Sequence, residues 1–235
     1  MKKYIKGIAL IGLLIGSYSL SLAQDCEGYY PMTEGIQFET KNYDKKNRLK
    51  STNQHVVKEV FEKDGQTIAV VHTITTDDKG EELINTQYEV VCEGGNITVN
   101  TLKILKEKLT ATLSENDSDA EANVTGTNSV MPNNMRVGQE LPDSTMEMEI
   151  MAGSVKMDFG VKSFNKKVVA EETINVPAGT YDCMVVTEHT ETKMMITKKT
   201  TSKLWYAKGV GLVKQEEYNK KGDLVGLTVL TNFKD

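Results

Sequence analysis

The sequence predicts an all-β protein: two related antiparallel β-meanders forming one curved sheet, barrel-like or a sandwich, with one short helix between the halves. Three observations predict it. Apolar and polar residues alternate with a period of two in segments rich in Val, Ile, Thr and Tyr, the pattern of strands with one buried face. Polar turn clusters interrupt them at Asp44-Lys45-Lys46-Asn47, Asp77-Asp78-Lys79-Gly80 and Asn219-Lys220-Lys221-Gly222-Asp223. Loops this short join antiparallel neighbours, because parallel strands need long crossovers. Finally, the two halves of the chain resemble each other. "DGQTIAVV" at Asp64 to Val71 and "AGTYDCMVV" at Ala178 to Val186 both set glycine before an alternating strand, and "QYEVVCEGGNITV" resembles the later "SKLWYAKGVGLVK". Gly35 and Gly138 stand before the first strand of each half. One small meander buries too little apolar surface to stand alone, so the halves are expected to pack together or to join edge to edge.

Residues 1–23 read as a signal peptide: lysines at the front, an apolar run from Ile8 to Ile15, then Ser21 and Ala23 at the spacing of a cleavage site. The apolar run is too short for a bilayer and no second one follows, so the mature chain is expected to lack a transmembrane span. Cleavage removes Lys2, Lys3 and Lys6 and takes the formal charge from −5 to −8, three lysines fewer. So acidic a chain does not attract nucleic acid or an anionic membrane by bulk electrostatics, and a soluble periplasmic or extracellular protein is expected. Cys26 lies near the cleavage site, but Asp25 precedes it where a lipoprotein signal requires a small residue.

Residues 24–100 carry the first meander. In 101–130, Leu102, Leu105, Leu109 and Leu113 fall at helical spacing, which predicts a short amphipathic helix followed by an acidic linker. Residues 131–235 carry the second meander. There Met146, Met148 and Ile150 alternate with Glu147 and Glu149, Ala152-Gly153-Ser154 turns the chain, and Val155, Met157, Phe159 and Val161 alternate again. This predicts a hairpin with one apolar face. Trp205 and Tyr206 should point to opposite sides of their strand, one of them into the core. Gly209 and Gly211 lie between two strands with no helix after them, so they are turn or bulge residues and not a phosphate loop.

The chain has Cys26, Cys92 and Cys183, enough for one intramolecular bridge in an oxidising compartment. Cys26 with Cys92 is the expected pair, which would tie down the N-terminal segment, and Cys183 reads as a small buried hydrophobe. Spacing alone leaves the pairing open. Catalytic patterns are missing: His55, His72 and His189 form no metal or triad motif, and Cys183 and His189 on one strand would stand roughly 20 Å apart. The protein is therefore expected not to be an enzyme, with no cofactor and no metal. Nine of its eleven methionines fall between Met131 and Met195. Met146, Met148, Met157, Phe159 and Met184 form the candidate lining of an apolar pocket for a lipid or other hydrophobic ligand, since methionine fills irregular space. The alternatives are an interaction module for an envelope protein and, more remotely, Cu(I) held by Met146 and Met148.

Four segments, "CEGYYPMTEG", "MPNNMRVGQEL", "VPAGTYDC" and "WYAKGVGLVKQEEYNKKGDLVG", resemble in their order the TapB-like family of exported bacterial proteins, related to other exported domains of unknown function. The resemblance spans nearly all of the mature chain. It implies an all-β, curved-sheet or barrel-like fold in the cell envelope and brings no catalytic residues.

Overall fold

The computed structural model describes residues 26–100, 102, 106, 121–152, 155–194 and 196–235. The expected signal peptide and most of the expected helix and linker lie outside these residues; Leu102 and Lys106 are helical. Apart from these two residues, the regular structure of the described chain is β. β1 (Gln37–Asp44), β2 (Leu49–Lys63), β3 (Gln66–Asp77), β4 (Glu82–Glu93) and β5 (Asn96–Asn100) form the first antiparallel meander. β6 (Glu121–Thr127), β7 (Ser129–Pro132) and β8 (Glu140–Leu141) precede a second one, made of β9 (Ser144–Ala152), β10 (Val155–Val176), β11 (Gly179–Lys193), β12 (Thr197–Ala207), β13 (Gly211–Tyr218) and β14 (Leu224–Lys234). Residues from Glu121 onward, assigned to the linker by the sequence, are thus already strand.

The meanders join edge to edge through β1 and β14, where Thr40 faces Leu230 and Asn42 faces Thr228. All fourteen strands of the described residues then belong to one sheet, with β6 and β7 at its two ends. These ends are consecutive in the chain, separated by Asn128 alone. One extended segment therefore pairs with β9 through Glu121–Thr127 and with β5 through Ser129–Pro132, which nearly closes the sheet into a barrel and removes the exposed edges an open sheet would carry.

Three hairpin turns are built alike. Asp44 Oδ1 accepts the backbone N–H groups of Lys46 and Arg48, Asp77 Oδ1 those of Lys79 and Glu81, and Asn219 Oδ1 those of Lys221 and Asp223. The fourth residue of each turn, Asn47, Gly80 or Gly222, takes a positive φ of 56°, 87° or 82°. Asx side chains and left-handed residues suit these positions. The three turns, with the β9–β10 and β11–β12 connections, share one end of the barrel, here called the mouth.

The other end is plugged. Residues 26–36 cross it, held by the Gly209 N–H donating to the Gly28 carbonyl and by a disulfide between Cys26 and Cys92 with Cα atoms 5.9 Å apart. Closing a loop of this length in the unfolded chain contributes about 4 kcal/mol in the entropic account. Tyr29 and Ile36 of the plug join Val57, Val71, Val90, Ile97, Met131, Val168 and Val186 in the core. A second cluster gathers Val176, Cys183, Val185, Trp205, Ala207, Val213 and Leu230. Trp205 and Tyr206 point to opposite faces as expected, but both are packed: Trp205 in the second cluster, and Tyr206 against the first.

Candidate functional site

The inner wall of the barrel can be traced by register, because directly opposed residues share a face and successive residues alternate. Val186 on β11 packs in the same core as Val71 and Val90, which lie on strands that are not its neighbours in the sheet. Its face is therefore the inner one. That face continues through Glu188 and Thr190, crosses to Ser163 and Val161 on β10, and passes to Ser144 and Met146 on β9. Met148 opposes Phe159 and Met157 opposes Ile150 on the same side. The outer side of this hairpin is charged, with Lys156 bridging Glu149 and Asp158.

Four of the five residues expected to form an apolar pocket thus share one strip of inner wall: Met146, Met148, Met157 and Phe159. The strip is only partly covered. Met146, Met148 and Phe159 are half-buried and Met157 is 51 % exposed, while Val124 on β6, opposite Met148, is buried. The strip lies at the mouth, where the β9–β10 hairpin extends past the last β10–β11 pair, Gly160 with Lys193. Met184 lies elsewhere. It opposes Glu171 and Tyr206 and lines a separate cleft of about 870 Å³ at the plugged end, with Tyr29, Met135, Arg136 and Asp182.

The facing part of the mouth is polar. Asn42 donates to Ser51 (2.8 Å) and accepts from Thr228 (2.7 Å), while Asn53 donates to Thr40 (3.2 Å) and accepts from Thr75 (2.9 Å). These residues lie on the face of Val57 and His55, which is inner by the same reasoning. Between mouth and core sits Lys166, 6 % exposed. Its ammonium donates to Ser144 (2.8 Å) and Ser129 (3.4 Å) and stands 3.9 Å from Glu188. Burial lowers the Lys166 pKa and raises that of Glu188, each opposed by the charge of the other. Lys166 thereby clasps β7, β9 and β11 across the place where the sheet closes.

Deeper still, Tyr30 and Tyr88 share a hydrogen bond through their hydroxyls, and the Tyr88 hydroxyl lies 3.2 Å from His55 Nδ1. His55 stacks on Phe38 with ring centroids 4.5 Å apart. Burial pushes the His55 pKa down to about 4 and that of Tyr88 up to about 12, so at neutral pH the imidazole is uncharged and shares a hydrogen bond with the neutral phenol. Cys183 is buried, and burial raises its thiol to about 11. It is a protonated packing group, not a thiolate.

Sequence reasoning located the methionine strip but missed Lys166, Glu188 and the Asn–Ser–Thr ladder. Polar residues on strands look like a solvated face, and only the register shows that these point inward.

A small antiparallel barrel, plugged at one end and, among the described residues, amphipathic at the other, is the class this fold and site define. Residues 33–230 match the model of the DUF3108-like family, and the chain belongs to that family. In fold it is similar to a protein from Bacteroides fragilis described as exported and YmcC-like, with TM-score 0.71 and 23 % identity over 89 % of this chain and 100 % of that one. It is also similar to a protein from Parabacteroides distasonis described as a lipoprotein, with TM-score 0.69 and 24 % identity over 90 % and 100 %. No curated protein matches. These matches support the DUF3108-like family and an exported, YmcC-like fold neighbourhood, and none of them carries the narrower TapB-like name that the motifs resemble.

Proposed function

We propose that this chain is an exported, non-enzymatic envelope protein that holds an apolar ligand, in its simplest form a single-chain lipid, against the inner strip of Met146, Met148, Met157 and Phe159. The observation that carries this reading is the half-buried state of apolar side chains on the inner wall of a barrel. In a filled interior such residues are covered on every side; here, among the described residues, they are only partly covered, and the facing part of the inner wall carries a ladder of uncharged amides and hydroxyls. An amphiphile satisfies both walls, its chain on the methionines and an uncharged polar head on the ladder. Export is supported by the signal-like residues 1–23 and by the descriptions of the two fold neighbours, and the TapB-like motifs belong to the same reading.

Native mass spectrometry of mature protein incubated with monolaurin, alongside a Met148→Glu variant, tests it. The expected result is a retained one-to-one adduct with the wild type and none with the variant, both remaining folded by circular dichroism. An adduct of equal strength in the two proteins, or no adduct in either, would overturn the proposal.

A further inference from the structure

The mouth has a second feature, independent of what its interior holds. The β11–β12, β13–β14 and β1–β2 turns are neighbours along one arc of the rim, because β11, β12, β13, β14, β1 and β2 are adjacent in the sheet. Glu191 and Lys199 beside the first turn form an ion pair at 2.5 Å, and the charge of Lys220 on the second reaches Glu191. The arc carries three exposed apolar residues: Met194 at 60 % exposed, Ile196 at 83 % and Leu224 at 40 %. Of the remaining exposed large hydrophobics, Leu83, Ile84 and Met157 lie at the same end, beside the β3–β4 and β9–β10 connections, whereas Val137 and Val169 do not.

Interleaved with these tips are Lys45, Lys46, Lys220 and Lys221, all exposed. Among the described residues none of the four is in a salt bridge. The carboxylates on the same two turns are otherwise engaged, Asp44 by the Arg48 guanidinium and Asp223 by the Asn219 amide. The chain as a whole is acidic, with a formal charge of −5, so the arc is a local inversion of its sign. Fields from surface charges decay within about 8 Å at physiological ionic strength, so a partner touching the arc meets these lysines and not the distant carboxylates.

We propose that this arc docks the mouth of the barrel onto an anionic lipid bilayer, with Met194, Ile196 and Leu224 entering the headgroup region and Lys45, Lys46, Lys220 and Lys221 contacting lipid phosphates. Exposed apolar tips flanked by exposed lysines are the composition of an interfacial membrane contact. A protein partner is the other occupant such a patch could take, but the local excess of exposed lysine favours an anionic surface. The geometry also has a consequence for the proposed lipid site, since docking by this arc turns the opening toward the membrane. The inference does not depend on that site.

Flotation with liposomes separates the possibilities. Vesicles of phosphatidylcholine alone and vesicles containing phosphatidylglycerol are each mixed with mature wild-type protein, with Lys220→Glu/Lys221→Glu and with Met194→Ser/Ile196→Ser. All substituted residues are exposed, so folding is undisturbed and is checked by thermal melting. The expected result is flotation of the wild type with phosphatidylglycerol vesicles only, weakened at least about tenfold by either double substitution and abolished by high salt. Equal flotation with both vesicle types, no flotation with either, or flotation insensitive to both variants would overturn the proposal. A lipid-binding interior with no flotation would leave the carrier reading standing and remove this one.

Discussion

Lys166 shows how one residue can close a barrel. It follows Asn165, whose φ is 53°, at a bulge in β10 where the pairing with β11 jumps from Phe164 to Lys167. Bulges re-aim side chains, and this one places a lysine in the interior. Replacing Lys166 with Met strands the Glu188 carboxylate in a largely buried position and should cost about 3 kcal/mol; adding Glu188→Leu should restore most of that loss. Urea denaturation of the two variants checks this. His55 sets an acid limit. Its ordinary pKa of 6.5 falls to about 4 in the folded protein, so the unfolded chain binds the extra proton first. The stability from this site is complete above pH 6.5 and declines as pH falls toward 4. Melting temperatures across that window should fall in the wild type, and His55→Phe should flatten the slope. Neither role was legible in the sequence. The bulge breaks the alternation that would have assigned Lys166 a face, and His55 shows its environment only once β4 and the plug deliver Tyr88 and Tyr30.

Elements were far more legible, because strands and turns are written locally. The Asx and glycine turns at Asp44, Asp77 and Asn219 and the hairpin around Met146 to Val161 all lie where the pattern places them. Gly35 and Gly138, noted as the openings of the two halves, do the same work in each. The Ile36 N–H donates to the Thr33 carbonyl and the Gln139 N–H to the Arg136 carbonyl, closing turns whose third residue is glycine at φ 91° and 90°. Each glycine then donates its own N–H to a core strand, Gly35 to Val57 and Gly138 to Val168. A type II turn requires such a residue at that position. Gly126 on β6 is more tightly constrained. At φ 144° any Cβ would collide with the Thr145 carbonyl oxygen. Gly126→Ala should therefore break the β6–β9 pairing, cost at least about 2 kcal/mol, and show as faster amide exchange at Val124 and Met148 than at Val71.

On the scale of the whole molecule, the pattern of alternation and turns specifies an antiparallel all-β chain but not how its halves meet. That depends on β1 finding β14 across nearly the full chain and on residues 121–132 pairing to both sides, contacts with no local signature. The reading of 101–130 as helix and linker shows the limit: polarity hid the closing strand from Glu121 onward. The same closure puts the methionine strip, which by sequence could be either core or pocket, on the inner wall at the mouth. Four of the five proposed lining residues come together there, and Met184 does not because its strand position lies at the plugged end.

The central claim is that this strip is where an apolar ligand binds, and methionine methyl groups report on it directly. Titrating methyl-labelled mature protein with monolaurin, and following each assigned methionine methyl by NMR, should move the Met146 and Met148 signals most and leave Met184 in place. Shifts confined to Met184 and Met135, or no shift at all, would contradict the account.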